Sequence, residues 1–279
     1  MTPPSVSVPG ASDGAQFLRL IADETRWVIV RMLALSDLRA GEISAALRIP
    51  ANALSYHLKR LRTFGLVRDR HSSADARDVY YCLEIDRLRT LYAAAGDSLY
   101  PGLLALSSGS DSEGSAEASG ARTSVGKPLS RPMRVLFLCT HNSARSQMAE
   151  ALLRQMGGDQ VEVYSAGSIP TEVHPETIAT LQALGIDTSG LYAKSLDQFI
   201  GEPFDYIITV CDRVRDICPA FPNDPAQAHW SIADPVVVED PDDRAKAFRV
   251  VAIELQTRIR YLLLLPHPGT GERFTDSRY

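Results

Sequence analysis

Residues 135–150 read Val-Leu-Phe-Leu-Cys-Thr-His-Asn-Ser-Ala-Arg-Ser-Gln-Met-Ala-Glu. The apolar start predicts a buried strand that ends at Cys139, and the polar residues after it predict a loop that leads into a helix. The amide N–H groups of such a loop, the positive end of the helix and the guanidinium of Arg145 are together suited to a tetrahedral oxyanion. The stretch therefore predicts an anion site with Cys139 inside it as the nucleophile.

The predicted oxyanion loop consists of Thr140, His141, Asn142, Ser143, Ala144 and Arg145. Its positive field should lower the pKa of the Cys139 thiol, which we expect to be a thiolate at neutral pH. We expect Ser146 to donate its hydroxyl proton to this sulfur. The alternative is a buried cysteine before an ordinary helix, and the spacing Cys-x5-Arg-Ser directly after an apolar strand disfavours it.

The segment resembles the low-molecular-weight tyrosine phosphatase superfamily and, within it, the thioredoxin-coupled arsenate reductases. The resemblance covers roughly residues 133–265 and implies an α/β domain with a flavodoxin-like parallel sheet of low-molecular-weight phosphatase topology. The predicted strands lie near 134–139, 161–165, 205–211 and 227–231, and the predicted helices near 143–156, 174–185 and 242–265.

The chain has four cysteines, Cys82, Cys139, Cys211 and Cys218. Residues 1 to 14 have neither a basic start nor an apolar core, so we expect no signal peptide, and no apolar run approaches the length of a membrane span. A cytoplasmic protein without membrane contact is therefore expected. In that reducing compartment, cysteines are more often catalytic or redox-active than structural.

Cys211 and Cys218 match the places of the second and third cysteine in the reductases that the chain resembles. The resemblance implies that Cys211 attacks a Cys139–arsenic adduct and that Cys218 then takes over the disulfide, which needs an external reductant such as thioredoxin and no bound cofactor. The alternative makes Cys211 a small core residue and Cys218 a loop thiol. Two cysteines at matching spacing favour the relay.

Two further features follow from the resemblance. Asp234, in the segment Asp-Pro, matches the family's general acid, although an Asp-Pro pair alone is usually a turn. Some relatives bind potassium through Asn, Glu, Ser and Asp; Asn142, Glu150 and Ser165 match three of these ligands. Lys194 or Ser195 replaces the aspartate, and a lysine ammonium would occupy the place of the cation, so we predict no metal.

The N-terminal part predicts a different domain, a winged helix-turn-helix over residues 15–106, joined to the domain at 133–265 by a flexible linker, 107–132, that is rich in Ser, Gly and Ala. Helical apolar spacing at 17–22 and 27–35 precedes two short helices that are separated by Ile49-Pro50. A basic hairpin and an amphipathic helix at 86–106, suited to homodimerisation, follow.

This order of elements resembles the ArsR-type repressors, on the segments Asp23-Glu24-Thr25-Arg26, Ser55-Tyr56-His57-Leu58 and Gly65-Leu66-Val67. The resemblance implies binding to double-stranded operator DNA. The metal-sensing cysteine pair of such repressors has no match at Leu38-Arg39-Ala40-Gly41-Glu42, which we assign to the helix before the turn, and Cys82 stands alone in the hairpin.

Charge placement supports a DNA-binding front half: residues 1–106 hold 13 basic and 11 acidic residues, whereas 133–279 hold 13 and 20. We expect phosphate contacts from basic side chains and base contacts from polar ones on the second helix of the turn. The predicted phosphate contacts are Lys59, Arg60, Arg68 and Arg70, and the predicted base contacts are Ser55 and Tyr56. The alternative for each of them is a solvated surface residue.

Two other functions stay open at this point. A low-molecular-weight tyrosine phosphatase would use Cys139, Arg145 and Asp234 without the other cysteines, although Val236 and Val237 stand where aromatic walls for a tyrosyl ring would be expected. A pure regulator whose rear half only binds an oxyanion is the other. The relay favours a bifunctional protein that joins a transcriptional regulator to an arsenate reductase.

Overall fold

The computed structural model describes residues 11–99 and 131–265. The described residues fall into two compact units: the first holds 11–34, 40–68 and 83–99, and the second holds 35–39, 69–82 and 131–265. Most of the predicted linker, residues 107–130, and the last part of the predicted dimerisation helix, 100–106, lie outside the described residues.

The elements of residues 11–99 follow the predicted order of helix, helix, helix-turn-helix, hairpin and helix. They are α1 (Ala11–Ile21), α2 (Glu24–Leu35), β1 (Leu38–Arg39), α3 (Ala40–Leu47), α4 (Ala51–Thr63), β2 (Val67–His71), β3 (Val79–Leu83) and α5 (Ile85–Leu99). The three strands form a sheet of order β1-β3-β2. The winged helix-turn-helix prediction is confirmed.

One detail of the prediction was wrong. Leu38 and Arg39, assigned to the helix before the turn, form strand β1 and pair antiparallel with Tyr81 and Tyr80 of β3. Their backbone groups are hydrogen-bonded by pairing with the hairpin. A pattern of apolar residues in so short a segment does not reveal such a partner. The helix begins only at Ala40.

Helix α4 has a buried face and an exposed face. Leu54, Leu58 and Leu61 are buried. The helix ends in a Schellman motif, in which Gly65 N–H donates to the Arg62 carbonyl at 2.9 Å and Leu66 N–H donates to the Leu61 carbonyl at 3.0 Å. Gly65 takes a left-handed φ of 73°, which a glycine adopts without a steric penalty, and the chain turns into β2.

The C-terminal residues form the predicted parallel α/β fold. Its elements are β4 (Met133–Cys139), α6 (Arg145–Gly157), β5 (Val161–Gly167), α7 (Pro175–Ala183), β6 (Tyr206–Thr209), α8 (Asp212–Arg215), β7 (Ala226–His229) and α9 (Pro241–Leu262). The sheet has the order β5-β4-β6-β7, and each neighbouring pair is parallel. Because carboxyl ends of parallel strands meet at one edge, Cys139, Cys211 and the loop after β7 lie at the same edge.

A buried ion pair fixes the segment 35–39 within the second unit. Arg258 Nη2 on α9 lies 2.9 Å from Asp37 Oδ2, and both side chains are almost fully buried. Asp37 Oδ2 also accepts a hydrogen bond from the Ser231 amide at 2.6 Å. The carboxylate of Asp37 raises the pKa of Arg258 against the opposing effect of burial, so the guanidinium stays charged.

Among residues 11–99 and 131–265, no helix is long and apolar enough to cross a membrane.

Candidate active site

The oxyanion loop is held from outside through its carbonyl groups. Segment 168–174 donates amide hydrogen bonds to the carbonyls of Cys139 at 3.3 Å, Thr140 at 2.8 Å, His141 at 3.0 Å and Ser143 at 3.0 Å. In a planar trans peptide, the N–H group of the next residue points the opposite way. The amides after these carbonyls are therefore directed to the inner side of the loop, and the Thr140 amide reaches the Cys139 sulfur.

Asn142 organises the loop through its side chain. Its φ of 49° is left-handed, which asparagine tolerates better than most residues. Its amide nitrogen, Nδ2, donates to Ser146 Oγ at 2.9 Å and to Ser165 Oγ at 2.8 Å. Its amide oxygen, Oδ1, accepts from Gln147 Nε2 at 2.9 Å and from the Lys194 backbone amide at 2.7 Å. Ser146 is thus tied to Asn142; donation of its proton to Cys139 stays a prediction.

Lys194 supplies a positive charge beneath the loop. Its Nζ lies 3.0 Å from Glu150 Oε2, and both side chains are nearly fully buried. Ser165 Oγ donates to the same oxygen at 2.5 Å, and Arg154 pairs with Glu150 as well. The three residues that resemble potassium ligands are therefore linked to one another, and the ammonium group of Lys194 pairs with one of them, Glu150. The prediction of no metal stays a prediction.

Arg145 and Asp234, predicted as anion ligand and general acid, lie side by side. Arg145 Nη2 is 2.6 Å from Asp234 Oδ2, and its Nη1 donates to the Ile232 carbonyl at 3.0 Å. Burial would lower the pKa of Arg145, but the charges of Cys139 and Asp234 outweigh it and raise that pKa. The guanidinium is therefore a permanent cation beside Cys139, the predicted nucleophile. Asp234 lies nearer the surface, with 26% of its side chain exposed.

Cys211 lies directly against the predicted nucleophile. Its thiol hydrogen-bonds with that of Cys139, and Thr140 Oγ1 is 3.3 Å from Cys211 Sγ. The hydrogen bond with Cys139 lowers the pKa of Cys211 to about 5, and Arg145 contributes in the same direction against burial. The same hydrogen bond and burial raise the pKa of Cys139, which Arg145 only partly offsets.

The expectation that Cys139 is itself the thiolate is corrected by this pair. Two thiols in contact titrate together, so the first proton leaves easily and the second is retained. The hydrogen bond between the two thiols lowers the pKa of Cys211 and raises that of Cys139, so it favours ionisation of Cys211 before Cys139. Sequence reasoning missed this because it placed only Arg145 and the loop amides next to Cys139.

Cys218 lies beyond helix α8, after Cys211. Its side chain is partly buried against the core of the α/β fold, and its Sγ is 3.8 Å from the Pro219 carbonyl oxygen. Burial raises the pKa of its thiol. The helical turn of α8 therefore separates the two thiols that the relay would join in its last step.

A buried polar cluster next to Cys211 was not foreseen from the sequence. Asp212 Oδ1 is 3.1 Å from His229 Nε2 and accepts from Ser231 Oγ at 2.8 Å, and Thr209 Oγ1 is 2.8 Å from His229 Nδ1. The hydrogen bonds to Asp212 outweigh its burial and hold its pKa well below the usual range. The available signal was the polar His229-Trp230-Ser231 segment at the end of a strand, which sequence reasoning used only to find Asp234.

The predicted DNA contacts fall into two groups. Ser55, Tyr56, Lys59 and Arg60 are exposed on α4, opposite its buried leucines. The hairpin arginines instead pair with carboxylates: Arg68 Nε is 2.6 Å from Glu84, and Arg70 Nη2 is 2.7 Å from Asp212.

Cys82 is fully buried in β3. Within the ranges that the structure describes, no group of three His, Cys, Asp or Glu residues could hold a metal ion.

Comparisons with known proteins identify a family for each of the two predicted domains. Residues 134–267 match the low molecular weight phosphotyrosine protein phosphatase family, and residues 23–69 match the bacterial regulatory protein, arsR family. An arsenate reductase of Halalkalibacterium halodurans is 38% identical over 45% of this chain and 91% of its own length; one of Bacillus subtilis is 35% identical over 41% and 82%.

Among solved structures, an arsenate reductase from Archaeoglobus fulgidus is 31% identical, covers 46% of this chain and 98% of its own, and has a TM-score of 0.39. Each of these relatives matches the C-terminal half of this chain, which holds Cys139, Cys211 and Cys218, over at least 82% of its own length. The chain therefore belongs to the arsenate reductases of the low molecular weight phosphatase family, and it carries an arsR-family helix-turn-helix segment ahead of that domain.

Proposed function

We propose that this protein reduces arsenate to arsenite with a relay of three cysteines and that its N-terminal domain binds operator DNA. The observation that carries the enzymatic part is the contact between the Cys139 and Cys211 thiols beside Arg145. A phosphatase needs no second thiol at the nucleophile, whereas a reductase needs one within reach of the first.

In the first step, the Cys139 proton passes to Cys211 along their hydrogen bond, and Cys139 sulfur attacks arsenic. The loop amides and Arg145 bind the arsenate oxygens. Asp234 protonates the hydroxyl that leaves as water. Release of Asp234 from Arg145 accompanies this step, because the guanidinium turns to the bound oxyanion.

In the second step, Cys211 gives up its proton to an oxygen of the departing arsenic group and attacks the Cys139 sulfur. A sulfur–sulfur bond forms, the sulfur–arsenic bond breaks, and its electron pair stays on arsenic, which leaves as arsenite. Cys218 then attacks Cys211, frees Cys139 as a thiol and leaves a Cys211–Cys218 disulfide. A dithiol reductant of the thioredoxin class, supplied by a reducing cytoplasm, restores the two thiols.

The test follows arsenate-dependent NADPH consumption with thioredoxin and thioredoxin reductase, for the wild type and for each cysteine-to-serine variant. We expect Cys139→Ser, Cys211→Ser and Cys218→Ser to abolish turnover, and Cys82→Ser, which removes a thiol outside the relay, to retain it. Full turnover by Cys218→Ser would exclude the three-cysteine relay. Cleavage of an aryl phosphate by Cys211→Ser and Cys218→Ser, which keep the Cys139 nucleophile, would show that the anion site is intact.

The regulatory part of the proposal rests on the exposed, basic side chains of α4 and on the arsR-family match. We propose that the domain of residues 15–106 binds DNA as a homodimer and that 107–132 connects it to the reductase domain of residues 133–265. Sedimentation of the full chain with and without duplex DNA tests the dimer, and binding to a library of duplexes identifies the operator.

A further inference from the structure

Asp212 directly follows Cys211 in the chain. Its carboxylate is bound by residues of the hairpin segment 69–82, which belongs to the second compact unit. Arg70 Nη2 lies 2.7 Å from both carboxylate oxygens, and the Ser73 amide and Oγ donate to Oδ2 at 2.8 and 2.9 Å. The Asp212 side chain is fully buried, and 16% of the Arg70 side chain is exposed. Such charge-assisted bonds in a buried place fix their partners more firmly than surface pairs do.

The small sheet also contacts the other end of helix α8. Arg215 lies 5.0 Å from the ring centroid of Tyr80, and Arg39 Nη2 lies 3.8 Å from Asp216 Oδ1. Cys211 is the residue that caps the start of this helix, so the position of its thiol depends on how the helix is held. Contacts at both ends therefore restrain the element that carries the second cysteine of the relay.

We propose that Arg70 is a positioning residue for the attack of Cys211 on Cys139. The proposal rests on the proposed relay and adds a role for a residue outside the α/β fold. By fixing Asp212, Arg70 keeps the Cys211 sulfur against Cys139.

Arg70 takes no part in the bond changes of this step. The sulfur of Cys211 forms a bond to the sulfur of Cys139, the Cys139–arsenic bond breaks, and arsenite carries away the electron pair. An attacking atom that is displaced by about 1 Å can lose on the order of a hundredfold in rate. Loss of Arg70 should cost less, because Ser73, His229 and Ser231 still bind Asp212.

The test uses the full chain with Cys218→Ser, in which the relay stops at the Cys139–Cys211 disulfide. Free thiols are counted at successive times after arsenate is added, and aryl phosphate cleavage is measured in the same preparation. We expect Arg70→Ala to lower the ratio of thiol loss to phosphate cleavage about tenfold, and Arg70→Lys to restore part of it. Arg77→Ala is the matched control, because Arg77 pairs only locally with Asp75 in the same hairpin.

Equal ratios for Arg70→Ala and Arg77→Ala would overturn the proposal. An equal fall of thiol loss and phosphate cleavage would overturn it too, because Arg70 would then support the whole pocket rather than Cys211. Asp212→Asn, which keeps the side-chain volume and removes the charge, should lower the ratio like Arg70→Ala. If Cys218→Ser itself loses no thiols with arsenate, the relay fails, and that failure is visible before Arg70 is changed.

Discussion

The oxyanion loop and helix α4 carry the two proposed functions, and they differ in burial. The loop is held by buried polar groups, among them Asn142, Ser146 and Arg145, whose hydrogen bonds fix its shape. The outward side chains of α4, such as Lys59 and Arg60, are exposed. A buried polar group that loses its partner costs about 1–3 kcal/mol, whereas a surface change usually costs no more than about 0.5 kcal/mol. The loop is therefore sensitive to single substitutions, and the helix surface acts mainly through its charge.

The largest expected effect comes from Arg145→Lys. A lysine keeps the charge but loses the planar fork of donors, so we expect turnover of arsenate to fall by about 10²- to 10³-fold. Cleavage of an aryl phosphate should fall in parallel, because both reactions use the same anion site. A fall below tenfold in both assays would show that the loop amides suffice for anion binding.

Lys194→Met tests the buried charge beneath the loop. The substitution leaves Glu150 without its ammonium partner, and we expect a loss of about 3 kcal/mol in the free energy of unfolding, measured with urea. This is the low end of the usual range, because Arg154 still pairs with Glu150. Lys246→Met, at an exposed pair with Asp243, is the control and should leave the midpoint unchanged.

Lys194→Met combined with Glu150→Gln removes both charges and should recover part of the lost stability. If the double variant is no more stable than Lys194→Met, the ion pair does not account for the loss. The prediction of no potassium site is tested in the same series: it requires equal wild-type turnover in KCl and NaCl of the same ionic strength.

A smaller effect is expected in the pH titration of the Cys139 and Cys211 thiols, and the direction of each pKa shift is defined. The pKa of Cys211 is lowered to about 5, so the ultraviolet absorbance of one thiolate should appear as the pH rises through that value and persist at neutral pH. Cys211→Ser removes the main cause that raises the pKa of Cys139, and the Cys139 titration should then move to lower pH. An unchanged Cys139 titration would contradict the effect of the Cys211 hydrogen bond on the pKa of Cys139.

The smallest effect is expected on α4. Lys59→Ala should weaken DNA binding several-fold at physiological salt and lower the slope of log affinity against log salt by about 1, without changing sequence preference. Arg89→Ala, an exposed arginine on α5, serves as the control. Equal slopes of log affinity against log salt for the two variants would show that Lys59 does not contact DNA phosphates.

The sequence predicted the order of elements and the strand that ends at Cys139, because apolar periodicity and glycine turns are local signals. The family resemblance assigned Asp234 and Cys211 to the same site as Arg145, and the structure brings them to one edge of the sheet, since parallel strands end together. Strand β1 and the Asp212 cluster were missed. Both depend on partners distant in the chain, such as Tyr80 for Arg39 and Arg70 for Asp212, and a local pattern carries no information about them.

The Asp37–Arg258 ion pair affects the stability of any shortened form of this chain that lacks Asp37. A shortened version that begins at residue 131 would keep the four-stranded sheet and the catalytic loop but would lose Asp37. Arg258 would then stay inside the fold as a cation without its carboxylate, a situation that commonly costs about 3–5 kcal/mol. Glu254, 3.2 Å away on the same helix, would offset part of that cost. The single-domain form of this enzyme should therefore melt at a lower temperature than the intact chain, even though Cys139, Arg145, Cys211, Cys218 and Asp234 are all present in it.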